Sequence, residues 1–82
     1  MRSSHFGHKI RERRKGAGIQ QGELAAAIET PEYPEGMPQG TLCNYEMGRS
    51  EMPEPLYWAA HEAIARILRE RVDAEAEAVR EA

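Results

Sequence analysis

Most of the glycine and proline residues fall in three clusters, and this distribution constrains the fold more than any other feature of the chain. The clusters lie at 16–18, 31–38 and 48–55, and no glycine or proline follows Pro55. The four segments between and after them carry apolar residues at helical period, and none alternates as a strand does. We therefore predict an all-α fold with helices at about 6–15, 20–28, 39–47 and from 53 or 55 to 82.

The length and composition exclude several classes of function. The chain has 82 residues, enough for one small domain over 1–82, with a core at about 6–68 and a helical extension at about 69–82. It shows no Ser/His/Asp set, glycine-rich phosphate loop or metal-ligand spacing, so we expect no enzyme activity, cofactor or metal. Cys43 is the single cysteine, and no apolar run is long enough for a signal peptide or a membrane span. These features predict a cytoplasmic protein without membrane contact.

The net charge of −3 conceals an uneven distribution of charge along the chain. Residues 1–18 carry six basic residues against Glu12 alone, a net of +5, and residues 29–62 carry seven glutamates against Arg49, a net of −6. Binding to a polyanion depends on local clusters of charge rather than on the total. The basic run is therefore either part of a nucleic-acid interface or a solvated helix face.

The third predicted helix combines an inward stripe with an outward polar face. Leu42 and Tyr45 point inward at helical spacing, and Gly48 follows as a left-handed cap. The outward positions are Gln39, Gly40, Cys43, Asn44 and Met47.

Two segments carry a resemblance to a known family. Residues 18–25 read GIQQGELA, and residues 41–49 read TLCNYEMGR. In this order the two segments resemble the phage-repressor (Cro-like, XRE-type) helix-turn-helix family, over roughly residues 10–64. The resemblance implies a lambda-repressor-like helix-turn-helix domain, here with a long C-terminal helix.

The resemblance also implies roles for individual residues. A recognition helix enters the major groove with its exposed stripe, and glutamine or asparagine can pair with adenine there. The implied base-reading residues are Gln39, Gly40, Thr41, Cys43 and Asn44. The implied phosphate-binding residues are Gln20, Gln21 and Arg49, the glutamines at a helix N-terminus that favours anions. Arg14 and Glu46 match a pair that orients the recognition helix.

The segment between the second and third helices departs from the family. Members join these helices by about 3–4 residues, whereas residues 29–38 number ten, with three glutamates and three prolines. Glu29 stands where a glycine usually follows the second helix. The segment could shield the DNA-facing surface, contact a protein partner or be an inert loop.

The long C-terminal helix carries two apolar stripes. Leu56, Ala60, Ala63, Ile64 and Ile67 are expected to close the core. A second stripe has Trp58, Ala65, Val72 and Val79 at steps of seven, with Leu68 and Ala76 between. Because this stripe extends past the small domain, we predict a homodimer through Trp58, Ala65, Leu68 and Val72. The alternative is an exposed helix that frays after Val72.

The sequence therefore predicts a sequence-specific double-stranded DNA-binding repressor that binds a pseudo-palindromic operator as a homodimer. Small members of this family often repress their own operon in a phage or mobile element, including members encoded beside anti-CRISPR genes. The alternative is a protein-interaction module, an antitoxin or an inhibitor, that binds its partner through residues 29–38.

Overall fold

The computed structural model describes residues 4–81, which form four α-helices and no strand. The helices are α1 Ser4–Gly16, α2 Gln21–Ala27, α3 Gln39–Glu46 and α4 Glu54–Glu81. The predicted all-α fold with a long last helix is confirmed. Arg2 of the basic run and Ala82 at the predicted helix end lie outside the described residues.

The ends of the helices differ from the predicted bounds by a few residues. Helix α1 begins two residues earlier than predicted, and Gln20, Ile28 and Met47 cap α2 and α3 instead of lying inside them. The two stops that follow α1 and α3 use left-handed glycines. Gly18 has φ +70° and Gly48 has φ +77°. At each stop the next amide donates back to the helix, from Ile19 to the Arg14 carbonyl at 3.1 Å and from Arg49 to the Asn44 carbonyl at 2.9 Å.

The N-terminal half of α4 closes the core over the three shorter helices. The predicted stripe of Leu56, Ala60, Ala63, Ile64 and Ile67 is buried, as are Ile10, Leu24 and Leu42 from the other helices and Ile28 at the C-cap of α2. Three further core residues come from the connecting segments: Ile19, Met37 and Met52. No helix within residues 4–81 is both long and apolar enough to cross a bilayer.

Helices α1 and α3 approach each other closely at Gly7. A Cβ atom on Gly7 would lie 1.9 Å from the carbonyl oxygen of Tyr45. No side chain fits in that space, so a glycine is required here for packing even though glycine is unfavourable inside a helix. This contact fixes α1 against the C-terminal end of α3.

The segment 29–38 folds back onto the C-terminal end of α2. The amide of Met37 donates to the carbonyl of Ala25 at 2.8 Å, and the side chain of Met37 is buried. Gly36 has φ +105°, and a Cβ there would lie 2.7 Å from the carbonyl oxygen of Ala26. The guanidinium of Arg66 donates to the carbonyl of Ala27. These contacts supply the helix end that a following glycine supplies in the resembled family.

Candidate nucleic-acid interface

A buried ion pair lies at the junction of α1 and α3. The Nε and Nη2 atoms of Arg14 donate to Oε2 and Oε1 of Glu46 at 2.8 and 2.9 Å. Glu46 is only 3% exposed, and Arg14 also donates to the carbonyl of Ile19 at 2.9 Å. The Arg14–Glu46 pair expected from the resemblance is therefore present, in the two-bond geometry that fixes orientation most firmly. It holds α3 in a defined rotation against α1.

A chain of hydrogen bonds extends from this pair to the N-terminal ends of α2 and α3. Gln21 Nε2 donates to Glu46 Oε1 at 3.1 Å, and Gln39 Nε2 donates to Gln21 Oε1 at 3.3 Å. The Gln21 amide nitrogen carries two hydrogens, so one remains for a further acceptor. The network Arg14–Glu46–Gln21–Gln39 thus links the two ends that the resemblance assigns to phosphate and base contacts.

The exposed face of α3 contains three of the five implied base-reading residues. Gln39, Gly40 and Asn44 are exposed, whereas Thr41 and Cys43 are half-buried. A Cβ on Gly40 would meet nothing within 4 Å. Packing within residues 4–81 therefore does not require a glycine at position 40, whereas it does require one at position 7.

The two remaining phosphate candidates are exposed at the ends of this region. Gln20 is the N-cap of α2, and its side chain makes no capping hydrogen bond. Arg49 follows α3, and its Nη1 lies 3.4 Å from Oδ1 of Asn44. Six of the eight implied residues, leaving aside the half-buried Thr41 and Cys43, therefore lie on or beside α3 and at the start of α2, which the bonds from Gln39 to Gln21 and from Arg49 to Asn44 connect. We define this α2–α3 surface by Gln20, Gln21, Gln39, Gly40, Asn44 and Arg49.

The basic run of α1 is not a single DNA-facing patch. Arg14 forms an ion pair with Glu46, and Arg13 is hydrogen-bonded to Nδ1 of His61 on α4. Burial, with a smaller contribution from Arg13, lowers the pKa of His61. Tyr57 stacks on Phe6 and meets the His61 ring edge-on. The net charge of residues 1–18 therefore overstates the number of cations that are available to contact phosphate.

One residue that anchors α4 to the rest of the domain could not be identified from the sequence pattern. Arg71 lies past the core stripe of α4, in the segment where the sequence predicts a helical extension from the domain. Its Nη2 lies 2.7 Å from Oε1 of Glu23, and its Nη1 donates to the carbonyls of Ala17 and Gly18. The contacts of the domain therefore reach one further turn along α4 than the predicted core limit at about residue 68.

The predicted dimerisation residues divide into two groups. Trp58 and Val72 are 58% and 63% exposed, and Ala65 and Leu68 are half-buried. Leu68 also packs against the core. All side chains described from Arg69 to Arg80 are exposed.

No protein-family model matches the chain, and neither the curated proteins nor the solved structures contain a significant match.

Proposed function

We propose that the protein is a sequence-specific repressor that binds double-stranded DNA as a homodimer and regulates its own phage or mobile-element operon in the cytoplasm. The observation that carries this proposal is the hydrogen-bonded network Arg14–Glu46–Gln21–Gln39, which joins the start of α2 to the start of α3. A reader of base edges needs a helix whose rotation and tilt are fixed before binding. The network supports that requirement with side chains from three helices.

Base recognition is proposed for the exposed positions of α3. Gln39 and Asn44 carry amides, each of which can donate to N7 of adenine and accept from its N6 amino group. Gly40 lies between them without a side chain and without a packing reason for its absence. A bare backbone at this point would allow the first turn of α3 to approach the DNA closely. Thr41 and Cys43 are half-buried and are assigned only peripheral contacts.

Phosphate contacts are proposed for the flanks of the α2–α3 surface. Gln20 and the second amide hydrogen of Gln21 lie at the start of α2, where backbone amides also favour an anion. Arg49 supplies a full positive charge at the other side and lies beside Asn44. Contacts of this kind set position on the duplex rather than sequence preference.

The proposal is tested by a gel-shift assay with the DNA upstream of the protein's own coding region and with unrelated duplex, across a series of salt concentrations. A repressor should bind the upstream DNA preferentially and lose affinity steeply as salt increases. A protein that binds neither DNA at low salt is not a repressor. That result would favour the alternative function, a protein-interaction module that binds its partner through the acidic segment 29–38.

Two variants separate the proposed roles within the same assay. Asn44→Ala should weaken binding to the upstream DNA by about 1–3 kcal/mol and leave non-specific binding almost unchanged. Arg49→Ala should weaken binding to all sequences and reduce the salt slope by about one unit. Since Arg49 and Asn44 are neighbours, a sequence-selective loss in Arg49→Ala would reassign Arg49 to base reading.

A further inference from the structure

Residues 65–79 of α4 carry an apolar seam whose spacing is symmetric. We define the seam as Ala65, Leu68, Val72, Ala76 and Val79, which follow one another at steps of 3, 4, 4 and 3. On a helix of 3.6 residues per turn these positions fall within a stripe about 80° wide. Reading the seam in either direction from Val72 gives the same spacing. Two antiparallel copies would therefore face each other with Val72 at the centre.

One edge of the seam carries charges that are also self-complementary. Glu62, Arg69, Asp73 and Arg80 follow the seam along this edge with alternating sign, and all four are exposed. Within residues 4–81, none of these four pairs with another charged group. Arg66 and Arg71, which point towards the domain, both have acidic partners in the same chain, Glu29 and Glu23. Both arginines that carry no acidic partner in this part of α4, Arg69 and Arg80, thus lie on the edge beside the seam.

These two patterns have almost the same centre. In an antiparallel pair related by a twofold axis, each edge of one helix faces the same edge of the other. Pairing Glu62 with Arg80 and Arg69 with Asp73 across the axis places the centre at residue 71, one residue from the apolar centre at Val72. This offset amounts to about 3 Å between paired residues along the axis, which long side chains can span.

We propose that α4 forms an antiparallel homodimer through residues 62–80, with Val72 facing Val72 of the second copy. Ala65 then faces Val79 of the second copy, and Leu68 faces Ala76. Four intermolecular ion pairs form along one edge, two between residues 62 and 80 and two between residues 69 and 73. The steps of 3 and 4 residues average about 3.5, the period of a left-handed two-helix coil, so a slight supercoil keeps the two helices in contact over the five layers.

A parallel pair of α4 helices would form fewer intermolecular ion pairs with the same charges. It would bring the charged edge of one helix against the opposite edge of the other. Between residues 62 and 80, that opposite edge offers Glu75 as its one charged residue not already bonded within the chain. The antiparallel arrangement also leaves Trp58 outside the seam, where it packs against Tyr57 and His61.

This inference rests on the homodimer of the proposed function but not on DNA binding. Disulfide trapping without DNA tests it, in a Cys43→Ser background so that no native thiol competes. Chains with Ala65→Cys and Val79→Cys, one of them size-tagged, are mixed and exposed to a mild oxidant. Facing positions in this register are close enough to form a disulfide. The mixture should give the mixed dimer, and neither variant alone should form a linked dimer.

Two further variants calibrate the trapping. Val72→Cys should link to itself because it lies on the twofold axis, and Ala74→Cys, on the opposite face of the same helix, should not link. Self-linking of Ala65→Cys would overturn the antiparallel orientation. Linking through Val72→Cys without the mixed 65–79 product would overturn the register. A wild-type chain that light scattering finds monomeric would overturn the dimer itself.

The charged edge provides an independent measurement. Arg69→Glu and Asp73→Arg should each weaken self-association several-fold, because each places like charges opposite each other twice in the dimer. An equimolar mixture of the two variants should associate as strongly as wild type. Equal association of wild type and both variants would remove the ion pairs from the interface. Failure of these tests leaves the gel-shift result standing, and a negative gel-shift result leaves the dimer geometry standing.

Discussion

Around Glu46, charged side chains are buried and bonded, whereas in the C-terminal half of α4 apolar side chains are exposed and uncovered. At the first site, Arg14 and Gln21 donate to the buried carboxylate within one chain, and Gln39 donates in turn to Gln21. At the second, Val72 and Val79 are 63% and 72% exposed, with charges beside them that have no partner among the described residues. The junction around Glu46 is complete in a single copy. The half-helix leaves Val72 and Val79 uncovered in a single copy.

Removing the carboxylate at the junction should have the largest effect on stability. Glu46→Ala leaves the guanidinium of Arg14 buried without its partner, which costs about 3–5 kcal/mol. Glu77→Ala removes an equivalent group from the exposed half of α4 and should change the free energy of unfolding by less than about 0.5 kcal/mol. Urea denaturation of the three proteins measures both differences. Similar losses of unfolding free energy in the two variants would mean that the C-terminal half of α4, like the junction around Glu46, is part of the cooperative fold.

Placing charge in the seam should change assembly more than stability. Leu68→Glu with Val72→Glu should give a folded monomer that no longer binds its operator tightly, because Glu at these positions cannot be buried between two helices. Leu68 also contacts the core, so a small decrease in melting temperature is expected.

The matched control for the seam variant lies on the opposite face of the same half-helix. Ala74→Glu with Ala78→Glu adds the same charge at two exposed positions and should remain dimeric. Light scattering compares the two doubly substituted chains. A dimeric Leu68→Glu, Val72→Glu protein would place the partner surface elsewhere.

A smaller effect is expected on the α2–α3 surface, where fold and function should respond in opposite directions. Gly40→Ala should raise the free energy of unfolding by about 0.5–1 kcal/mol, because glycine is a poor helix former and a Cβ meets no neighbour here. The same methyl group should weaken DNA binding if the backbone approaches the duplex. Gly16→Ala at the end of α1, equally open, serves as the control and should leave DNA binding unchanged. Unchanged binding in Gly40→Ala would remove position 40 from the interface.

The smallest effect is a pH dependence at the contact between α1 and α4. The lowered pKa of His61 means that below the ordinary value of about 6.5 the unfolded chain takes up a proton more readily than the folded chain. The contribution to stability is therefore complete above pH 6.5 and is lost as the pH falls towards the lowered pKa. His61→Gln should show a shallower decrease than wild type between about pH 7.5 and pH 5.5. His8→Gln, which removes an exposed histidine, is the matched control.

The sequence by itself determined the helices, their approximate ends and most of the core. These features depend on residues close in the chain. Periodic apolar residues define the buried faces, and Gly18 and Gly48 adopt the left-handed conformation that ends a helix. The Arg14–Glu46 pair joins residues far apart in the chain, and it was predictable only through the family resemblance.

Only the tertiary structure decided how the segments meet. The need for glycine at position 7 arises from a carbonyl of Tyr45 on another helix, and the surface hydrogen bond of Arg13 arises from His61 on α4. The anchoring of the segment 29–38 arises likewise from the free carbonyls at the end of α2. Such contacts depend on which groups the packing brings within hydrogen-bond distance. That distance is a property of the assembled helices and leaves no period or motif in the chain.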